Sequence, residues 1–176
     1  MAMTLITTST SSNAASSSFT ASIDNTYKLY IYKFYDVNPA TDNVKFQFQG
    51  SSDTGSSYGV TKTTTSFAAS HTDADASSIF YNGDGDLAQA TGVQELCYGL
   101  GNGGDESLAG EFHLFNPSNT TYVKHFYAKV SIYMQDNGNR QFFTGGYFNT
   151  TSVIDAIQFT MSSGNMDAVI KMYGVG

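Results

Sequence analysis

The chain has one cysteine, two prolines and no tryptophan in 176 residues. A single cysteine, Cys97, excludes a disulfide framework within one chain. A core must therefore come from packing alone. The length permits this as one domain, since a domain near 150 residues buries roughly 68–70% of its unfolded surface. Charge is scarce too, at 13% of the residues against about 25% in average globular proteins. The net charge is −7, and basic residues such as Lys45, Lys62 and Lys171 are scattered singly. Phosphate contacts need clustered cations, so no nucleic-acid partner is expected, and no anionic membrane surface for the same reason. No run approaches the ~18 consecutive apolar residues of a membrane-spanning helix. The opening residues, Met1 to Thr8, lack the basic stretch and apolar core of a secretory signal, which implies synthesis and folding in a cytoplasm.

What is abundant is Ser, Thr, Asn and Gly, together with 12 Tyr and 13 Phe. Such a surface is polar but weakly charged, and it loses little hydration free energy when another subunit covers it. Residues 7–18 are nearly all Ser, Thr, Ala and Asn. Alone they could not bury enough surface to offset their ordering entropy, so residues 1–26 read as an extended arm held by a neighbouring subunit or, failing that, by a strand of the same domain.

From Tyr27 onward the pattern has period two, and residues 27–176 read as one β domain. Leu29 to Tyr35 is dense in aromatic and β-branched residues. Val44, Phe46 and Phe48 alternate with Lys45, Gln47 and Gln49, which points the first three at a core. The Thr-rich stretch from Val60 to Ala69 is polar on both faces and suggests an edge strand or a covered one. Residues 70–110 are irregular, with a short strand expected between Leu87 and Tyr98. Further strands are expected at 111–115, 122–134, 140–148, 153–161 and 168–173, with Val153, Ile157, Phe159 and Met161 inward. Asp136-Asn137-Gly138-Asn139 is a hairpin turn signal. Eight or so strands with Asn/Gly turns and no amphipathic helix predict an all-β, single-domain antiparallel sandwich, jelly-roll-like, with an extended N-terminal arm.

Catalytic and metal chemistry finds little footing. Asn82-Gly83-Asp84-Gly85-Asp86 alternates oxygens as calcium loops do, yet the twelfth position from Asn82 is Val93 rather than Glu. Glu111, His113 and His125 could approach one another across adjacent strands and hold zinc, but no fourth ligand or base accompanies them. No Gly-x-Ser-x-Gly and no phosphate-binding glycine loop before a helix occurs. Cys97 lies in Glu95-Leu96-Cys97-Tyr98 and reads as a small buried hydrophobe. No cofactor is expected. Tyrosines suit interfaces because each offers apolar area and a hydroxyl. The partner-binding candidates are Leu5, Ile6, Phe19, Tyr30, Tyr32, Tyr133 and Tyr147.

Met3-Thr4-Leu5-Ile6, Asn38-Pro39-Ala40-Thr41-Asp42, Leu114 to Phe126, Gly146 to Thr151 and Met161 to Gly174 resemble a family of uncharacterised virion structural proteins from marine tailed bacteriophages. The resemblance touches both ends and the middle of the chain and carries no catalytic motif. It implies a virion component. The leading expectation is a capsid decoration or cement protein, trimeric, bound to the major capsid protein or other virion subunits. Two alternatives are a tail-fibre or spike domain that binds a receptor glycan and a small metal-dependent hydrolase.

Overall fold

The computed structural model describes residues 2–176, and every described strand pairing is antiparallel. Twelve strands are found among these residues: β1 (Met3–Ala14), β2 (Ser16–Phe19), β3 (Leu29–Pro39), β4 (Val44–Ser51), β5 (Lys62–Thr72), β6 (Ser77–Tyr81), β7 (Gln94–Leu100), β8 (Leu108–Phe115), β9 (Lys124–Tyr133), β10 (Gly138–Phe148), β11 (Ala156–Met161) and β12 (Met166–Val175). They form an eight-stranded sheet in the order β1-β12-β3-β8-β9-β10-β5-β6 and a four-stranded sheet in the order β2-β11-β4-β7. The fold is an all-β sandwich, as the alternation predicts.

Pairing is nested. The first strand lies beside the last, β2 beside β11, β3 beside β8 and β4 beside β7. This frame of eight strands is interrupted twice. The β5-β6 hairpin comes between β4 and β7, and the β9-β10 hairpin between β8 and β11. Both hairpins join the far side of β8 and widen the larger sheet from four strands to eight.

The N-terminal segment is paired inside the domain rather than reaching outward. β1 runs along β12 from Met3 to Ala14, and β2 forms an edge of the smaller sheet beside β11. No break in the fold coincides with the expected boundary at residue 26. A Ser/Thr segment has no alternation to announce a strand. Here the backbone partners of β12 supply the order that the side chains cannot.

The core lies between the sheets and is aromatic. Phe159 of β11 sits at its centre, with ring centroids 5.0 Å from Phe34, 5.5 Å from Tyr32, 5.7 Å from Phe46 and 6.0 Å from Phe112. Most of these contacts are edge-to-face, the arrangement ring quadrupoles favour. Val44, Phe46 and Phe48 face inward as their alternation requires. Some expected boundaries shift. The irregular region contains β6, and its second strand is β7, beginning only at Gln94. The strand expected from Val153 starts at Ala156, and Ile154 is the buried residue there while Val153 is half-buried.

The smaller sheet ends at β7, which packs on β10 through Tyr98 and Phe142, so β5 extends past its edge. The inner side of β5 is covered by the 82–93 loop, and the covering is polar. Thr64 donates to Gln94 Oε1 at 2.7 Å and accepts from the Leu87 N–H at 2.8 Å. Lys62, on the stretch read as an edge strand or a covered one, is fully buried. Its ammonium donates to the Val60 carbonyl at 3.0 Å and lies 5.8 Å from the Phe148 ring centre. Burial with no carboxylate beside it holds the Lys62 ammonium down to about 8.

Candidate interaction surface

Side chains of the eight-stranded sheet alternate between the core and an outer face that no other described strand covers. Strand register arranges the outer positions in cross-strand rows. One row runs Tyr81, Phe67, Phe143, Lys129, Glu111, Lys33, Lys171, from β6 to β12. The next runs Thr65, Gly145, Tyr127, His113, Ile31, Tyr173, Leu5, from β5 to β1. Toward the strand ends come Tyr147 beside His125, and Phe115, Leu29, Val175 and Met3 beside one another.

This face gathers the exposed apolar surface. Nine large hydrophobic side chains are exposed among the described residues, and seven of them (Met3, Leu5, Tyr35, Phe67, Ile79, Tyr81 and Tyr127) stand on it; Val93 and Tyr122 do not. Scattered exposed hydrophobics carry no message, but a contiguous patch marks a contact surface. Phe67 and Phe143 stack at 4.9 Å between centroids and 11° between planes. With Thr65, Tyr127, Lys129 and Gly145 they line a shallow depression of about 390 Å³. Gly145 forms its floor, with open space where a Cβ would stand.

A charged row crosses the middle of the face. Lys33 donates to Glu111 Oε2 at 2.6 Å. That bond holds the Glu111 carboxyl below its ordinary value and the Lys33 ammonium above its own. Lys129 lies over the Phe143 ring at 5.8 Å, and Lys171 over the Tyr35 ring at 5.2 Å.

The residues singled out from the sequence divide between face and core. Leu5 is on the face and half exposed; Ile6, beside it, is partly buried against the core. Tyr147 is half-buried on the face, and Tyr133 is half-buried at its margin near the β9-β10 turn. Phe19, Tyr30 and Tyr32 are core residues, not surface ones, and can touch no partner. The Tyr30 hydroxyl is occupied internally, donating to Asp24 and accepting from the Asp24 N–H at 3.0 Å. Alternation misled here because both faces of β3 are apolar, so period two shows the pleat without saying which side is inside. The residues it missed are Phe67, Ile79, Tyr81, Tyr127 and Phe143. The available signal was their place opposite Ala68, Phe80, Phe126, Ala128 and Phe142, small or aromatic neighbours that take the inner positions.

The metal candidates do not assemble. His113 Nε2 lies 3.0 Å from Glu111 Oε1, off the line of a hydrogen bond, and its ring stacks on Tyr127 at 4.4 Å. His125 instead packs beside Tyr147. Among the described residues no group of three His, Cys, Asp or Glu has the spacing to hold a metal ion. In the 82–86 loop, Asn82 donates to Glu95 Oε1 at 3.3 Å, Asp86 accepts from the Tyr81 hydroxyl at 2.5 Å, and the Gly85 carbonyl accepts from Gln94 at 2.7 Å. Those oxygens and amides hold the loop in place. Cys97 is buried as expected, and burial pushes its thiol up to about 12, so it is no nucleophile at neutral pH. Set against protein-family models, curated proteins and solved structures, the chain matches none.

Proposed function

We propose that this chain is a structural subunit of a tailed-phage virion, in the role of a capsid decoration or cement protein, and that it works through the outer face of its larger sheet. The supporting observation is the collection of seven of the nine exposed large hydrophobics on that one face. Exposed aromatics of this density cost solubility unless protein covers them. The resemblance of the sequence to virion structural proteins supplies the setting. On this reading the partners are the major capsid protein or other virion subunits, the chain turns over no substrate, and it is made in the bacterial cytoplasm and resides in the particle.

We also read the nested frame as a jelly roll. Without its two inserted hairpins the molecule has two four-stranded sheets, β1-β12-β3-β8 and β2-β11-β4-β7, in which successive strands change sheet at every step but the one from β4 to β7. The double Greek key of a jelly roll has this alternation.

Immunogold electron microscopy of purified phage with an antibody to this protein tests the role. Label spread over the head is expected. Label confined to the tail overturns the decoration role, and unlabelled particles overturn the virion reading.

A further inference from the structure

We propose that the chain closes a covalent bond upon itself, an isopeptide joining the Lys45 side chain to the Asn82 carboxamide, with the Glu95 carboxylate between them carrying the proton. This goes beyond the reading of the outer face and does not depend on it.

Three side chains of matching chemistry meet at one place. Glu95, near the start of β7, is 6% exposed. Its Oε2 lies 2.6 Å from Lys45 Nζ of β4. Its Oε1 accepts from Asn82 Nδ2 at 3.3 Å. One buried carboxylate therefore holds an amine with one oxygen and a carboxamide with the other. Among the described residues the other lysine paired with a carboxylate is Lys33, and its partner Glu111 bonds no carboxamide.

The carboxamide is pinned. Asn82 is 5% exposed. Its N–H donates to the Ser66 carbonyl at 2.9 Å, and its carbonyl accepts from the Gly85 N–H at 3.1 Å. Gly85 lies so close over the side chain that a Cβ there would stand 2.9 Å from Asn82 Cγ. The Gly85 carbonyl is itself held by Gln94 Nε2 at 2.7 Å. Lys45 has more freedom. Its side chain is 43% exposed and lines a cavity of about 320 Å³ with Asn82, Asp84, Glu95 and Tyr98. A fixed electrophile, a flexible nucleophile and a base that touches both make amide exchange intramolecular and supply its proton carrier.

The step balances. Glu95 takes a proton from the Lys45 ammonium. The freed amine attacks Asn82 Cγ and forms the new C–N bond. Glu95 returns its proton to Nδ2, and the old C–N bond breaks. Ammonia leaves through the cavity, taking the proton that the attacking nitrogen sheds, so Glu95 ends as the carboxylate it began. The product ties β4 of the smaller sheet to the loop behind β5. It thereby locks the β5-β6 hairpin that bears Phe67, Ile79 and Tyr81. A chain with one cysteine has no internal disulfide for that task.

Intact mass spectrometry of the purified chain, after incubation at pH 9 to free more lysine amine, reads the bond. Tandem spectrometry of a tryptic digest places it. The wild type is expected to be lighter by one ammonia and to yield a branched peptide joining Lys45 to Asn82. Lys45→Arg keeps a cation beside Glu95, and Glu95→Gln keeps the shape of the side chain. Both are expected to keep the full mass, and Lys45→Arg to melt below the cross-linked wild type in circular dichroism. Lys45→Arg carries the test if Glu95→Gln does not fold. A wild type of full mass would overturn the proposal. So would an ammonia loss that survives in Lys45→Arg, since Asn82 would then have closed on the Gly83 backbone nitrogen as a succinimide. A folded Glu95→Gln that still yields the branched peptide would overturn the part given to Glu95.

Discussion

Strands β3 and β5 of the eight-stranded sheet differ in what they turn toward the inside. In the frame, β3 turns Tyr30, Tyr32 and Phe34 inward and Lys33 outward. In the inserted part, β5 turns Lys62, Thr64 and Ser66 inward, toward the 82–93 loop, and Phe67 outward. Frame aromatics are spent on stability, since they pack between two sheets. The inserted hairpins also place Phe126, Phe142 and Phe148 in the core, but Phe67, Tyr81, Tyr127 and Phe143 face away from the molecule, and behind β5 lies a polar loop instead of the second sheet. That exposed aromatic patch is the feature on which the proposed contact surface rests.

The contrast has unequal consequences for substitution. Phe159→Ala, at the centre of the frame, is expected to cost about 3–5 kcal/mol in denaturant unfolding. A loss under 1 kcal/mol would mean that the aromatic cluster is not the source of stability. Lys62→Met is expected to raise stability at pH 7 by about 1–3 kcal/mol, since it removes a buried unpaired charge and keeps the apolar stem. The pH dependence has a definite sign. Lys62 is depressed in the fold to about 8 from an ordinary 10.5. Between those values the unfolded chain binds the extra proton, so wild-type stability rises with pH through that window. The variant should lack the rise, and unfolding midpoints at pH 7 and pH 9.5 check this.

Effects on the outer face are smaller. Phe67→Ser should move the unfolding free energy by no more than about 0.5 kcal/mol, while removing the chain from particles in a co-sedimentation assay. If it unfolds the protein instead, Phe67 belongs to the core and the contrast between β3 and β5 is lost. Glu111→Gln should cost under about 1 kcal/mol, because both partners of its ion pair are near one-third exposed and solvent screens them. The Glu111 carboxyl is lowered in the fold, so its contribution is present above the ordinary carboxylate value and fades as pH falls through the folded one. Acid titration of wild type and variant should converge at low pH.

Much of the frame was legible in the sequence. Val44-Lys45-Phe46-Gln47-Phe48 alternates apolar with polar, and such strands declare both their pleat and their inner side. The Asp136-Asn137-Gly138 turn was legible because Asn137 must adopt a positive φ, here 61°, which Asn tolerates. Where both faces share one character the signal lost its sign. Leu29 to Tyr35 is apolar on both sides, so Tyr30 and Tyr32 were placed outward; Val60 to Ala69 is polar on both sides, so it read as an edge or covered strand with no sign of which face, that of Lys62 or that of Thr63, lies inside. β1 carried no periodic signal at all, and its order comes from β12, at the other end of the chain. The interaction surface was half visible for the same reason. Leu5 and Tyr147 were found, but Phe67, Tyr127 and Phe143 meet only through the register of β5, β9 and β10.

Hydroxyl-radical footprinting of the aromatic side chains, on purified particles and on the free chain at nanomolar concentration, asks most directly whether protein covers the outer face. Phe67, Tyr81, Tyr127 and Phe143 should be oxidised in the free chain and protected in the particle, while Tyr122, exposed but off the face, should react equally in both. Equal oxidation of all five in both samples would contradict the account.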